Sequence, residues 1–408
     1  MTERPPRLQR WWQVLATLSV AAMLVLAGCG AFAESTSSAP TPNTQQTATE
    51  TDPSTRTATP TSIPDSRVTV YGDALVNATL VWERVESLFG ETYDPPAVSV
   101  LDRTREAQTS PFVAALGLDE GIETAYEGHV GWRYMPRYDR VQLVPRNASR
   151  TDVERVLAHE YVHAVQYRTG VWDRAMNAGA PRAALEGGAV YVEDVYTREF
   201  HGYSAIDKRC ERYRNGTPYE RYTSRLYCFG GQYFAETLDS PSDLFDPDLR
   251  MPNTTEQVLH PETTDGPTNL TVVDETPTDW YTSASFDRQG ELFVRTVLGV
   301  ELSEERATEA ATGWGNDRLV EITGDTHGFV WVLHWDTVDD AAAFEAAFAD
   351  YLDTRGVETA DGWRVVDDRY RLIDVDDRTV AVAMGNETFV DAVTVTSENG
   401  NVTVSGEP

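Results

Sequence analysis

The stretch Thr151-Asp152-Val153-Glu154-Arg155-Val156-Leu157-Ala158-His159-Glu160-Tyr161-Val162-His163-Ala164-Val165 decides the fold. Its opening Thr-x-x-Glu has the form of a capping box, so a helix is expected to start there. Val153, Val156, Leu157, Ala164 and Val165 then recur at helical spacing. His159 and His163 are four residues apart and share one face, a turn from each other. Two imidazoles so placed can grip one tetrahedral metal ion, and Glu160 beside them can reach a water on that ion. Zinc lowers the pKa of such a water to about 7, and a carboxylate can take its proton as hydroxide attacks a peptide carbonyl. The chain has seven histidines. Chance would supply this spacing on the order of 1% of the time.

A catalytic zinc site needs a third protein ligand and one open position. The metzincin solution, Gly and His three and six residues after the second His, is excluded because Gln166 and Thr169 stand there. The other common solution is a glutamate on a following helix, and the run from Arg182 to Asp194 (Arg-Ala-Ala-Leu-Glu-Gly-Gly-Ala-Val-Tyr-Val-Glu-Asp) reads as that helix. Glu186 is expected to be the ligand, since Gly187 and Gly188 after it permit a close approach to the His159–His163 helix. Glu193, two turns later on nearly the same face, is expected to accept a hydrogen bond from a ligand imidazole.

The motif from His159 to His163, then Gln166, then Leu185-Glu186-Gly187-Gly188-Ala189, resembles the gluzincin metallopeptidases, the group that includes thermolysin. Thr255-Glu256-Gln257-Val258-Leu259-His260-Pro261 and Gly313-Trp314-Gly315-Asn316-Asp317-Arg318 resemble segments found with such domains. The order of export signal, Thr-rich stalk, motif pair and acidic body resembles an uncharacterised family of haloarchaeal surface lipoproteins. The resemblance implies His159, His163 and Glu186 as zinc ligands, Glu160 as catalytic base and a peptide or protein as substrate. One departure is Val190, where thermolysin-like enzymes carry an Asp four residues after the ligand Glu. The outer partner of a ligand histidine must then come from Glu193 or Asp194.

Upstream, Val98-Ser99-Val100-Leu101 and Arg140-Val141-Gln142-Leu143-Val144 read as strands, the second a candidate to pair with extended substrate as a zincin edge strand does. At the N-terminus Arg4, Arg7 and Arg10 precede an apolar run ending in Leu26-Ala27-Gly28-Cys29. This has the form of a lipoprotein signal with Cys29 as the lipid anchor, the alternative being an uncleaved membrane helix. Both place the rest of the chain outside the cell. Residues 30–65 form a Ser/Thr/Pro-rich stalk that cannot bury enough surface to fold. Beyond it are seven Asn-x-Ser/Thr sequons, at Asn77, Asn147, Asn215, Asn253, Asn269, Asn386 and Asn401, which suit a glycosylated surface protein. With Cys29 assigned to lipid, Cys210 and Cys228 are expected to pair, closing a loop over or beside the cleft. The stretch from Arg209 to Cys228, with Arg209, Arg212, Arg214, Arg221 and Arg225, reads as a solvated loop balancing nearby acids or as a lip for an acidic substrate.

The charge balance points to the milieu. There are 65 acidic residues against 34 basic, a net charge of −31, and Lys208 is the sole lysine. In molar salt the screening length is about 3 Å, so the self-repulsion of such a surface nearly vanishes. A halophile is expected, and nucleic acid is excluded as a partner because no basic stripe is available for phosphates.

The C-terminal third carries no motif of chemistry. Residues 318–322 and 329–333 read as strands around a Gly-Asp turn, 339–352 as an amphipathic helix, and 370–373 with 379–384 as a hairpin. The expected architecture is α+β: a zincin-like peptidase domain over 66–305 and a smaller helix-on-antiparallel-sheet domain over 306–408, after a signal (1–29) and the stalk. His260 is a candidate oxyanion donor or a plain loop histidine.

Overall fold

The computed structural model describes residues 66–102, 108–124, 130–278, 280–283, 288–323 and 327–406. Cys29 and the stalk lie outside the described residues. The chain is mixed α+β. Its first sheet contains β1 (Val70–Tyr71), β2 (Ala97–Val100), β3 (Gly131–Met135) and β4 (Arg140–Val144), in the order β1-β2-β4-β3. β1, β2 and β4 run parallel, and β3 folds back antiparallel onto β4. Arg140–Val144 is therefore an inner strand, and the edge on its side of the sheet belongs to Gly131–Met135. Alternating apolar residues mark a strand but do not say whether it has one neighbour or two.

The motif helix spans Arg150–Arg168. It is capped by Ser149, whose Oγ accepts the Asp152 N–H at 3.1 Å, two residues earlier than the Thr151–Glu154 pair suggests. The face opposite the histidines packs into the first core. There Tyr161 meets Trp82 of the helix Ala78–Phe89 edge-on, 5.0 Å between centroids, and its hydroxyl donates to the Ala78 carbonyl. The next long helix covers Pro181–His201, starting at the Pro that favours a first turn. A helical hairpin follows, Ala205–Asn215 and Pro218–Thr237, joined at Gly216 and restarted by a Thr217–Glu220 capping box. The stretch expected as a basic loop is thus helical. Cys210 and Cys228 tie its two arms together with Sγ–Sγ at 1.98 Å.

The larger sheet is wholly antiparallel. It comprises β6 (Tyr281–Ser283), β7 (Trp314–Thr323), β8 (Gly328–Trp335), β9 (Val357–Thr359), β10 (Gly362–Val365), β11 (Asp368–Asp376) and β12 (Thr379–Gly385), in the order β6-β7-β8-β12-β11-β10-β9. Both faces are buried. Phe329, Trp331, Leu333 and Trp335 of β8 point to one core, Val330 and Val332 to another, as a period of two requires. The helix Val338–Arg355 covers the first face with Phe344, Phe348 and Leu352, each contributing roughly 1.5–3 kcal/mol of burial. The second face is covered by a small sheet in which β14 (Asn401–Gly406) pairs antiparallel with β13 (Val393–Glu398) and parallel with β5 (Thr271–Glu275). Residues 306–408 do not fill these cores alone. Phe112, Leu116 and Leu118 enter the core under the helix Val338–Arg355 from between β2 and β3, and Phe293 and Val297 enter it from the helix Glu291–Leu298. No helix among the described residues is long and apolar enough to cross a membrane.

Candidate metal centre

Helical spacing brings His159 and His163 side by side, ring centroids 4.8 Å apart. The second helix crosses over them. Gly188 faces the motif helix, where an added Cβ would lie 3.1 Å from Gln166 Nε2. Gly187 faces the other way. Its Cβ would lie 2.6 Å from the Gly230 backbone in the hairpin, so only one of the two glycines serves the approach expected of both.

This crossing sets Glu186 Oε2 3.3 Å from His159 Nε2 and 3.4 Å from His163 Nε2. The other ring nitrogens are held from behind. His159 Nδ1 lies 2.9 Å from Glu193 Oε2, and His163 Nδ1 lies 2.8 Å from Gln166 Oε1. The Gln166 amide is oriented by donating from Nε2 to the Leu185 carbonyl at 3.0 Å. Both outer partners can only accept, so each Nδ1 donates and each Nε2 is left to face the shared point with its lone pair when the ring is neutral. Glu193 is itself gripped by Arg155 Nη1 at 2.5 Å and by Arg209 Nη2 at 3.2 and 3.3 Å. Asp194 does different work: it accepts from Ser204 Oγ and the Ile206 N–H and pairs with Arg198.

Glu160 completes the group. Its Oε2 accepts the Tyr134 N–H from edge strand β3 at 2.5 Å, and its Oε1 is buried with no hydrogen-bond partner. His159, Glu160 and His163 each offer a ligand atom within 4.8 Å of the others, so this buried group can hold a metal ion. The donor set fits one: two imidazole nitrogens and the Glu186 carboxylate converge, and the Glu160 carboxylate, one oxygen of it unpartnered, lies beside the imidazoles. All four side chains are nearly sealed, at 1% exposure for His159, 0% for Glu160, 4% for His163 and 5% for Glu186.

Electrostatics follow from the burial. Burial, with the Glu186 carboxylate adding to it, pushes the Glu160 carboxyl up against the pull of His163 and His159. It would do the same to Glu186 and Glu193, but the two histidines hold Glu186, and Arg209 with Arg155 hold Glu193, well below the usual carboxylate range. Burial pulls His159 down, and the carboxylates of Glu186 and Glu193 outweigh it, raising the ring to about 9.

A family described as "Domain of unknown function (DUF8575)" matches residues 278–396. That stretch runs from β6 to β13 and contains none of the metal-site residues. No curated protein and no solved structure matches the chain.

Among the described residues no contact joins His260 to this site; its Nε2 faces Glu291 Oε1 at 3.3 Å, at the start of the helix Glu291–Leu298. The roles of several participants at the site escaped sequence reasoning. Gln166 and Arg155 lie three residues after His163 and four before His159, so helical spacing could have found them. Tyr134, Arg209 and Tyr227, whose ring centroid is 5.9 Å from that of His159, arrive from distant elements and left no such signal.

Proposed function

We propose that this chain is an exported zinc peptidase of gluzincin type, on a zincin-like domain, held at the outer face of a halophile's membrane by lipid on Cys29. The observation that carries the reading is the convergence of His159 Nε2, His163 Nε2 and Glu186 Oε2 beside the Glu160 carboxylate, whose Oε1 has no partner. A purely structural ion needs no free carboxylate beside it. Zinc, when bound, supplies Lewis acidity that polarises a substrate carbonyl and brings a water's pKa to about 7. Glu160 takes the water's proton at Oε1 and can return it to the leaving amine, while the Tyr134 N–H fixes Oε2 and so aims the free oxygen. The open edge of β3, beside that contact, offers backbone groups for an extended peptide. Glu193 and Gln166 keep both rings in the ligating tautomer.

The near-complete burial of the four side chains favours a second reading, a non-catalytic surface lipoprotein that keeps the helix pair as a structural metal module. Metal content and peptide cleavage, measured in molar salt for wild type and Glu160→Gln, separate the two. The peptidase reading expects one zinc in both proteins and loss of turnover in the variant. Equal cleavage by both removes Glu160 from catalysis, and zinc without cleavage in wild type selects the structural module.

A further inference from the structure

The disulfide lies next to the metal centre in a particular way. Cys210 and Cys228 sit on different arms of the hairpin, and the residue before each one touches the site. Arg209 Nη2 reaches both oxygens of Glu193, and its guanidinium lies 4.8 Å above the Tyr227 ring. Tyr227 in turn leans on His159, and Glu193 holds the Nδ1 of that same ring. Adjacent residues on a helix point about 100° apart, so the cysteines bond to each other on one side while Arg209 and Tyr227 face the centre.

We infer that the Cys210–Cys228 bond, acting through Arg209 and Tyr227, is a positioning device for the metal centre: it sets the rotation of both hairpin arms so that Glu193 holds His159 in ligating geometry. This rests on reading His159, His163 and Glu186 as ligands. Two features make the effect local. The hairpin stays docked without the bond, because Gly187 and Gly230 meet backbone to backbone and Val190, Ile206 and Tyr213 bury the cysteines. Arg155, on the motif helix, keeps its own hold on Glu193 Oε1. Breaking the bond therefore loosens one of two grips on Glu193, and the ion is held less firmly without the fold being lost. In an exported chain the firm state is reached only after the cysteines meet an oxidising compartment.

The test uses the full chain loaded with zinc in molar salt and follows the rate at which zinc passes to a chromophoric chelator. Cys210→Ser/Cys228→Ser is expected to release zinc about 10–100-fold faster than wild type, the usual cost of losing an outer partner, with an unchanged far-ultraviolet circular dichroism spectrum. A reductant should accelerate wild type and leave the double variant as it was, which separates reduction from chelation by the reductant itself. Arg209→Gln, with the disulfide intact, should release zinc as fast as the double variant, and Arg209→Lys should recover part of the loss. Equal release by wild type and the double variant overturns the inference. Should the double variant fail to fold, a wild-type rate in Arg209→Gln overturns it instead. Zinc retained through His159 and His163 without any peptidase activity would cancel the proposed function and leave this inference standing. A wild type that takes up no zinc would end both.

Discussion

Glu186 and Glu193 are the same side chain seven residues apart on one helix, and their neighbours divide the work between them. Glu186 shares a point with two imidazole nitrogens, whereas Glu193 sits behind one ring and is neutralised by two arginines. Glu186→Ala is therefore expected to abolish zinc retention and cleavage together. Glu193→Ala should weaken zinc affinity by about 10–100-fold while keeping the site. Normal zinc binding by Glu186→Ala with loss in Glu193→Ala would exchange the roles, as equilibrium dialysis can show. The pH dependence has a definite sign. With His159 raised to about 9, the metal-free ring is protonated at neutral pH, and ligation must displace that proton. Apparent zinc affinity should rise with pH from 6 and level off near 9, and a flat profile in a chelator competition would contradict the site's electrostatics. At this scale the motif and Glu186 were legible because a helix converts spacing of three, four and seven into a shared face. The Tyr134 N–H was not, since a backbone donor on a strand 26 residues away leaves no trace in side-chain spacing.

At the scale of elements, a close helix crossing decides where Glu186 stands. Gly187 and Gly230 lie where neither can carry a Cβ without striking the partner's backbone. Gly187→Ala should gain up to about 1 kcal/mol in helix propensity and lose about 1–3 kcal/mol to overpacking, because backbone atoms cannot swing aside. The net change should be a lower melting temperature and faster zinc loss, since the adjacent Glu186 moves with the helix. An Ala variant as stable as wild type would mean that the helices are not in contact there. Gly-Gly in the sequence announced a close approach but not its direction, because the two residues point roughly 100° apart and only one faces the motif helix. The same limit applied to the strands. Arg140–Val144 was legible as a strand, and its inner position was not, because pairing depends on a hairpin partner whose own pattern, Gly131–Met135, is irregular.

At the scale of the whole molecule the net charge of −31 is the dominant quantity. In dilute buffer near 0.01 M the screening length is about 30 Å, comparable to a domain, and every acidic group then repels every other. Dialysis from molar salt into such a buffer is expected to unfold the protein reversibly. An unchanged circular dichroism spectrum would refute the halophile argument and leave the metal site untouched. Sequence patterning announced the helix-on-sheet arrangement of the C-terminal third through 329–333, 339–352 and 379–384. It missed the small sheet on the far face, because β5 and β14 are short and paired across 130 positions (Thr271 with Asn401).

The excursion of Pro111–Leu118 into the core between the large sheet and the helix Val338–Arg355 has a bearing on how the chain matures. Tyr351 and Tyr370 donate their hydroxyls to the Leu116 and Ala115 carbonyls, contacts that span 235 and 255 residues. A nascent chain therefore carries Leu116 and Leu118 with nothing to bury them until nearly all of it has been synthesised. Loop closure over such separations makes for late, slow folding, with sticky apolar surface on display in the interval. If the chain is exported as proposed, this delay postpones the joining of the two halves until both are across the membrane, where the cysteines can also be oxidised.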